Sequence, residues 1–153
     1  MKAGIAKHNV TPPVGVDLTG YVARIGPSNK VHDDLFTTAL VLDDGAKRIG
    51  IIAIDLVGMD MAQDAALREA ISKATGIEPG NLLITASHTH AGPAVGALRE
   101  CGIPDDACVR RLWAQMAAAA KEASENMVDA RLSYARAESD LASNRRGWVV
   151  ESK

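Results

Sequence analysis

The chain has 153 residues, 47% hydrophobic and 24% charged, with a net charge of −2. That is one domain's worth of sequence with enough apolar content for a core. The near-neutral balance, with Lys and Arg scattered, excludes the basic footprint of a nucleic-acid or anionic-membrane binder.

Lys2 to Val10 reads as a first strand, ended by Thr11-Pro12-Pro13 because proline cannot donate to a ladder. Pro12 to Lys30 is rich in Gly, Pro and polar residues and reads as a long loop. It carries Leu18, Tyr21, Val22 and Ile25, and is expected to be ordered. Leu35–Leu42 and Arg48–Val57 read as two strands of a hairpin, joined by the turn signal Asp43-Asp44-Gly45-Ala46-Lys47. The second is nearly all apolar, as a strand buried on both faces would be, except for Asp55.

Asp60 to Thr75 has a helical apolar stripe (Met61, Ala65, Leu67, Ala70, Ile71), with Asp60 as cap and Gly76 as stop. Leu82–Ala86 is a further strand. Strand, helix, strand in that order is a βαβ unit with parallel strands. A second helix opens at Pro104-Asp105-Asp106 and runs to about Met127, with Val109, Leu112, Trp113, Met116, Ala119, Ala120 and Ala123 on one face. Arg131–Ser139 alternates like a half-exposed strand. The expected architecture is a single α/β domain over residues 1–153. It has a mixed sheet containing a hairpin and at least one βαβ unit, with two main helices flanking the sheet.

The longest apolar runs are one strand long, too short to span a bilayer. The N-terminus lacks the apolar core of a signal peptide, so the sequence is expected to be cytoplasmic. Cys101 and Cys108 fit neither a CxxC nor a disulfide framework and read as ordinary thiols. There is no GxSxG, Walker A or GxGxxG, and aromatics are 3% of residues. Sugar- and nucleotide-binding readings are therefore poor.

The chain has four histidines. Two of them, His88 and His90, follow the strand Leu82–Ala86 directly. Ligands of open α/β sheets bind outside the carboxyl ends of parallel strands. If the extended conformation continues, residues i and i+2 point the same way, and the two imidazoles converge as a start for a transition-metal site. The alternative is that they cap backbone groups of the next loop. Asp55, near the end of the adjacent strand, could orient one histidine; it could equally form an Asx turn or cap the next helix. His32 either reaches the same cleft or is a solvated loop residue. His8 reads as structural. Arg145 and Arg146 are either a surface pair or an anion clamp.

Four segments occur in order: Gly4-Ile-Ala-Lys-His-Asn-Val-Thr-Pro-Pro, Leu18-Thr-Gly-Tyr, Val31-His-Asp-Asp-Leu-Phe-Thr-Thr-Ala-Leu-Val-Leu-Asp-Asp-Gly, and Leu83-Ile-Thr-Ala-Ser-His-Thr-His-Ala-Gly-Pro. With Ala142-Ser-Asn-Arg-Arg at the end, they resemble the N-terminal part of the neutral/alkaline non-lysosomal ceramidase family over essentially the whole chain. The resemblance implies a zinc-dependent hydrolase that cleaves the amide of ceramide, or another lipid or small amide. It implies His88 as a zinc ligand, His90 and Arg145 (or Arg146) as catalytic residues, and Gly20 and His32 on the substrate side. The family's remaining zinc ligands, a histidine, a glutamate and a tyrosine, lie downstream of its Arg segment, and no histidine follows His90 here. The resemblance therefore implies a partial zinc site in this chain and the N-terminal portion of a longer catalytic domain. The alternative is a non-catalytic α/β domain that associates with a partner or a second copy, with the Ala-rich second helix as the candidate surface.

Overall fold

The computed structural model describes residues 1–96, 98 and 101–141. Its elements are β1 (Lys2–Asn9), β2 (Phe36–Asp43), β3 (Arg48–Ile54), α1 (Met61–Thr75), a 3-10 turn (Pro79–Asn81), β4 (Leu82–Ala86), α2 (Asp106–Glu125) and β5 (Val128–Asp129). They form one five-stranded sheet in the order β4-β3-β2-β1-β5. The β2–β3 hairpin is antiparallel and the β3–β4 pair is parallel, with α1 as the crossover. The mixed sheet, the hairpin and the βαβ unit are as the sequence predicts.

Both helices lie against the same face of the sheet. On that face Gly4, Ala6, Ala39, Val41, Ile52 and Ile54 are buried, and they meet Leu112, Met116, Ala119, Ala120 and Ala123 of α2 and Leu67 and Ile71 of α1. The small residues of α2 let the helix sit low on β1. A Cβ on Gly4 would collide with the carbonyl oxygen of Ala123, so this close approach requires glycine. The Ala-rich face of α2 is thus spent on its own sheet and is not a free association surface.

α1 begins with a reciprocal capping box. Gln63 N donates to Asp60 Oδ1 (2.8 Å) and Asp60 N donates to Gln63 Oε1 (3.1 Å). Gly76 ends it in the left-handed conformation, φ 72°. Its buried stripe is narrower than the sequence suggests: Leu67 and Ile71 are buried, whereas Met61 is 90% exposed and Ala65 and Ala70 are also exposed.

Two expectations differ from the structure by more than a residue at an element's end. β3 stops at Ile54 rather than Val57, because Asp55 seals the hairpin end. Asp55 N donates to Phe36 O (3.0 Å), Phe36 N donates to Asp55 Oδ2 (2.9 Å), and Leu56 N then turns back to Ile54 O. Leu56 and Val57 are apolar because they are buried in that turn, not because they extend the strand. Arg131–Ser139 is irregular and exposed, not a strand. The outer edge of β1 is taken instead by Val128–Asp129, opposite Ala3 and Lys2. With no ladder partner, the period-2 alternation of the following segment has nothing to pair with.

Among the described residues, no helix lies on the other face of the sheet. Across it, Ile5, Leu40, Ile51 and Leu83 stand side by side in register on four adjacent strands, flanked by Ala3, Leu42 and Ile49 in the next row. Ile5 is 68% exposed and Leu83 57%. No helix of the described residues is long and apolar enough to cross a membrane.

Candidate active site

β4 delivers Ser87 to the carboxyl end of the parallel pair, where Ser87 N still donates to Ile54 O (3.0 Å). His88 then leaves the strand with φ 60°, the one non-glycine residue with positive φ among those described. This departs from an extended continuation. The left-handed turn, not strand alternation, carries the chain round so that the His88 and His90 rings meet edge to face, centroids 5.0 Å apart. A histidine in this region of backbone space is uncommon and is sustained only by surrounding contacts.

Those contacts are specific. His88 Nδ1 lies 2.6 Å from the carbonyl oxygen of Val57. A carbonyl only accepts, so Nδ1 carries the proton and, in the neutral ring, Nε2 presents its lone pair. The expected orienting role of Asp55 is therefore taken by the Val57 backbone. The Asp55 carboxylate is engaged with Phe36 N and makes no hydrogen bond to either histidine.

His90 is held from the other side by the long loop, which is ordered as expected. Thr19 N donates to Gly92 O (3.1 Å), Ala94 N to Asp17 O (2.8 Å), and Leu18 and Pro93 form a bridge. Gly20 lies against the His90 ring with φ 110°; a Cβ there would come within 2.5 Å of the ring. The Tyr21 ring meets the same imidazole edge-on at 5.1 Å. Arg24 Nη2 donates to the His90 carbonyl (2.7 Å).

His90 Nε2 stands 3.4 Å from His88 Nε2. Two imidazole nitrogens on one tetrahedral zinc, each at roughly 2.0–2.1 Å, sit about 3.3 Å apart. The pair thus fits two positions of such a site, and the carbonyl behind His88 is the kind of partner that fixes a metal-binding tautomer. Among the described residues, no third His, Cys, Asp or Glu joins them.

Beside the pair, Arg24, His32, Thr89 and Ala91 help line a cavity of about 540 Å³, within the range of small-molecule sites. His32 stands on its rim, largely exposed, with Nδ1 2.6 Å from Asp33 Oδ2 and no contact to the other two histidines. Arg145 and Arg146 fall outside the described residues. His8 is structural as expected, its ring nitrogens each 2.9 Å from Gln115 Oε1 and Glu122 Oε2 of α2. Cys101 and Cys108 are buried and free, and burial pushes the Cys108 thiol up.

No sequence-family profile matches the chain. Its backbone, however, superposes on solved ceramidases. Neutral ceramidase from Pseudomonas aeruginosa matches with TM-score 0.71 and 19% identity, over 82% of this chain and 22% of that one. A ceramidase complexed with C2 matches with TM-score 0.70 and 17% identity, over 82% of this chain and 21% of that one. The fold is ceramidase-like. At these identities the likeness establishes the fold alone, and the chain spans about a fifth of the length of those proteins.

Three contributors to the histidine site escape sequence reading. They are the Val57 carbonyl, the Tyr21 ring and Arg24. The first has no side-chain signature. Arg24 did carry one: it is the only charged residue between Asp17 and Lys30.

Gly20→Ala tests the seat of His90. The methyl group would need both an unfavourable φ and room that the imidazole fills, so the loop is expected to lift. The predicted result is loss of the Tyr21–His90 ring contacts in NOE spectra and a stability loss of about 1–3 kcal/mol by urea denaturation, with the sheet resonances unchanged. Intact ring contacts in the variant would contradict this packing.

Proposed function

We propose that this chain forms part of the catalytic domain of a zinc-dependent amide hydrolase of the neutral ceramidase kind, acting on a lipid amide such as N-acylsphingosine. The observation that carries the reading is the approach of the two Nε2 atoms to 3.4 Å at the mouth of a parallel strand pair. His88, with its proton fixed on Nδ1, would be a principal zinc ligand. His90 would share the ion or act beside it. Zinc, when bound, would supply Lewis acidity at the scissile carbonyl and acidify water there.

The chain's own residues would do the rest. The Val57 carbonyl keeps the His88 lone pair aimed outward. Gly20 and Tyr21 hold the His90 ring where it can take a proton from attacking water and return it to the leaving amine. His32, on the cavity rim, would meet the distal part of the substrate. Arg145 would neutralise the developing oxyanion. The two imidazoles would supply at most half of a tetrahedral donor set, one of them alone where His90 serves as the base, and the remaining donors would come from elsewhere.

Zinc titration of the ¹⁵N-labelled chain tests this reading. The prediction is that zinc perturbs the Nε2 resonances of His88 and His90 together, with His8 unaffected, and that affinity falls at least tenfold in His88→Ala. Zinc bound equally well by the variant would remove His88 as a principal ligand.

A second reading is association, and the helix-free sheet face favours it. The row Ile5–Leu40–Ile51–Leu83 is uncharged and in register. A second copy could pack on it sheet to sheet without opposing like charges, the two layers about 10 Å apart. Sedimentation of the wild-type chain should then show a concentration-dependent dimer that Leu83→Glu abolishes. A wild-type monomer at all concentrations would end this reading.

A further inference from the structure

β4 is an edge strand, with β3 on one side only. Ser87 N donates to Ile54 O, and Thr85 and Leu83 precede it at the ladder's two-residue period. These three residues therefore turn their backbone groups towards β3, and Leu82, Ile84 and Ala86 turn theirs outward. The outward groups of Leu82 are taken: its N–H donates to Pro79 O and its carbonyl accepts from Arg68 Nη1. At the other end His88 leaves the strand through its left-handed turn. Between these two stops, the N–H and carbonyl groups of Ile84 and Ala86 have no hydrogen-bond partner among the described residues.

Such an edge is a template for another strand, and the usual protections are missing from it. From Leu82 to Ser87 it carries no charge and no proline, and its register on β3 runs without a bulge. The edge is also complementary to itself. Set antiparallel to its own copy about a two-fold axis at Thr85, Ile84 faces Ala86 of the second copy and Ala86 faces Ile84. Both are outward-bonding positions, so each pair exchanges two hydrogen bonds, and together they close every free group of both strands. Leu83 then faces Ser87, and the two Thr85 side chains meet at the axis, with no like charges opposed. An axis at Ile84 would call on the groups of Leu82, which are spent. An axis at Ala86 would call on His88, which has left the strand.

We propose that β4 is a self-association edge, through which two copies pair antiparallel over Ile84–Ala86 and join their five-stranded sheets into one continuous sheet. A contact of this isologous kind closes at the dimer. It brings the His88 turn of each copy opposite Leu82 of the other. The proposal rests on neither zinc at His88 nor sheet-to-sheet packing of the aliphatic row.

Sedimentation of the full chain up to about 1 mM, a concentration that detects even weak pairing, is combined with amide exchange of the ¹⁵N-labelled protein. The expected result is a dimer in which exchange at Ile84 and Ala86 slows at least threefold as concentration rises. A mixed sample of labelled and unlabelled chains should show NOEs from Leu83 of one copy to Ser87 of the other. Packing through the sheet face would leave the Ile84 and Ala86 amides unprotected, so the two dimers are told apart. Ala86→Pro removes an N–H that faces away from β3, as an edge tolerates. It should weaken association at least tenfold with the β3–β4 NOEs intact. If that variant does not fold, Thr85→Lys, at an exposed position, sets two ammonium groups across the axis and should do the same. A monomer at every concentration, a dimer with unchanged exchange at Ile84 and Ala86, or undiminished association in a folded variant would each overturn the proposal.

Discussion

The hydrogen bond from His88 Nδ1 to the Val57 carbonyl fixes more of this molecule than its single contact suggests. Val57 is presented there because β3 ends at Ile54 and the Asp55 carboxylate clamps the hairpin onto Phe36. His88 can hold its left-handed backbone only while that carbonyl receives its ring. The turn at His88 in turn sets where His90 lands, and His90 is the surface on which Gly20, Tyr21 and Arg24 settle. A hairpin terminus, a strand terminus and a long loop are therefore joined through one imidazole whose outward nitrogen is left free for chemistry.

The scaffold behind the site is one-sided. α1 and α2 bury one face of the sheet, with Gly4 and the alanines of α2 setting a short distance between layers, while the opposite face keeps an in-register aliphatic row. Burying such a row would stabilise whatever covers it by roughly 25 cal/mol per Å² removed from water. The ceramidases that share this fold are several times longer. Among the described residues, the histidine pair has no third His, Cys, Asp or Glu beside it, and the aliphatic row has no covering layer.

How far the sequence could carry this depended on which signals are local. The capping pair Asp60–Gln63, Gly76 and the apolar run Leu82–Ala86 are local, and α1 and β4 fall where the pattern puts them. The end of β3 was hidden because Leu56 and Val57 are as apolar as a strand, and only the tertiary bond of Asp55 explains the stop. The Arg131–Ser139 alternation lacked a partner, which no single strand can reveal about itself. The convergence of His88 and His90 was legible from their spacing, but its cause was not: the pattern implied extended backbone, and the chain uses a left-handed turn held by a carbonyl. Tyr21 and Arg24 belong to a loop without periodicity, so their arrival at His90 depends on the Leu18–Pro93 bridge and is written nowhere in the local pattern.

His88 is locked as the Nδ1–H tautomer with its Nε2 lone pair facing His90. Long-range ¹H–¹⁵N correlation spectra of the imidazole rings read this directly. The expected result for the neutral His88 ring is a proton on Nδ1, protected from exchange, and a bare Nε2. A His88 ring protonated at Nε2, or one averaging rapidly between tautomers, would contradict it.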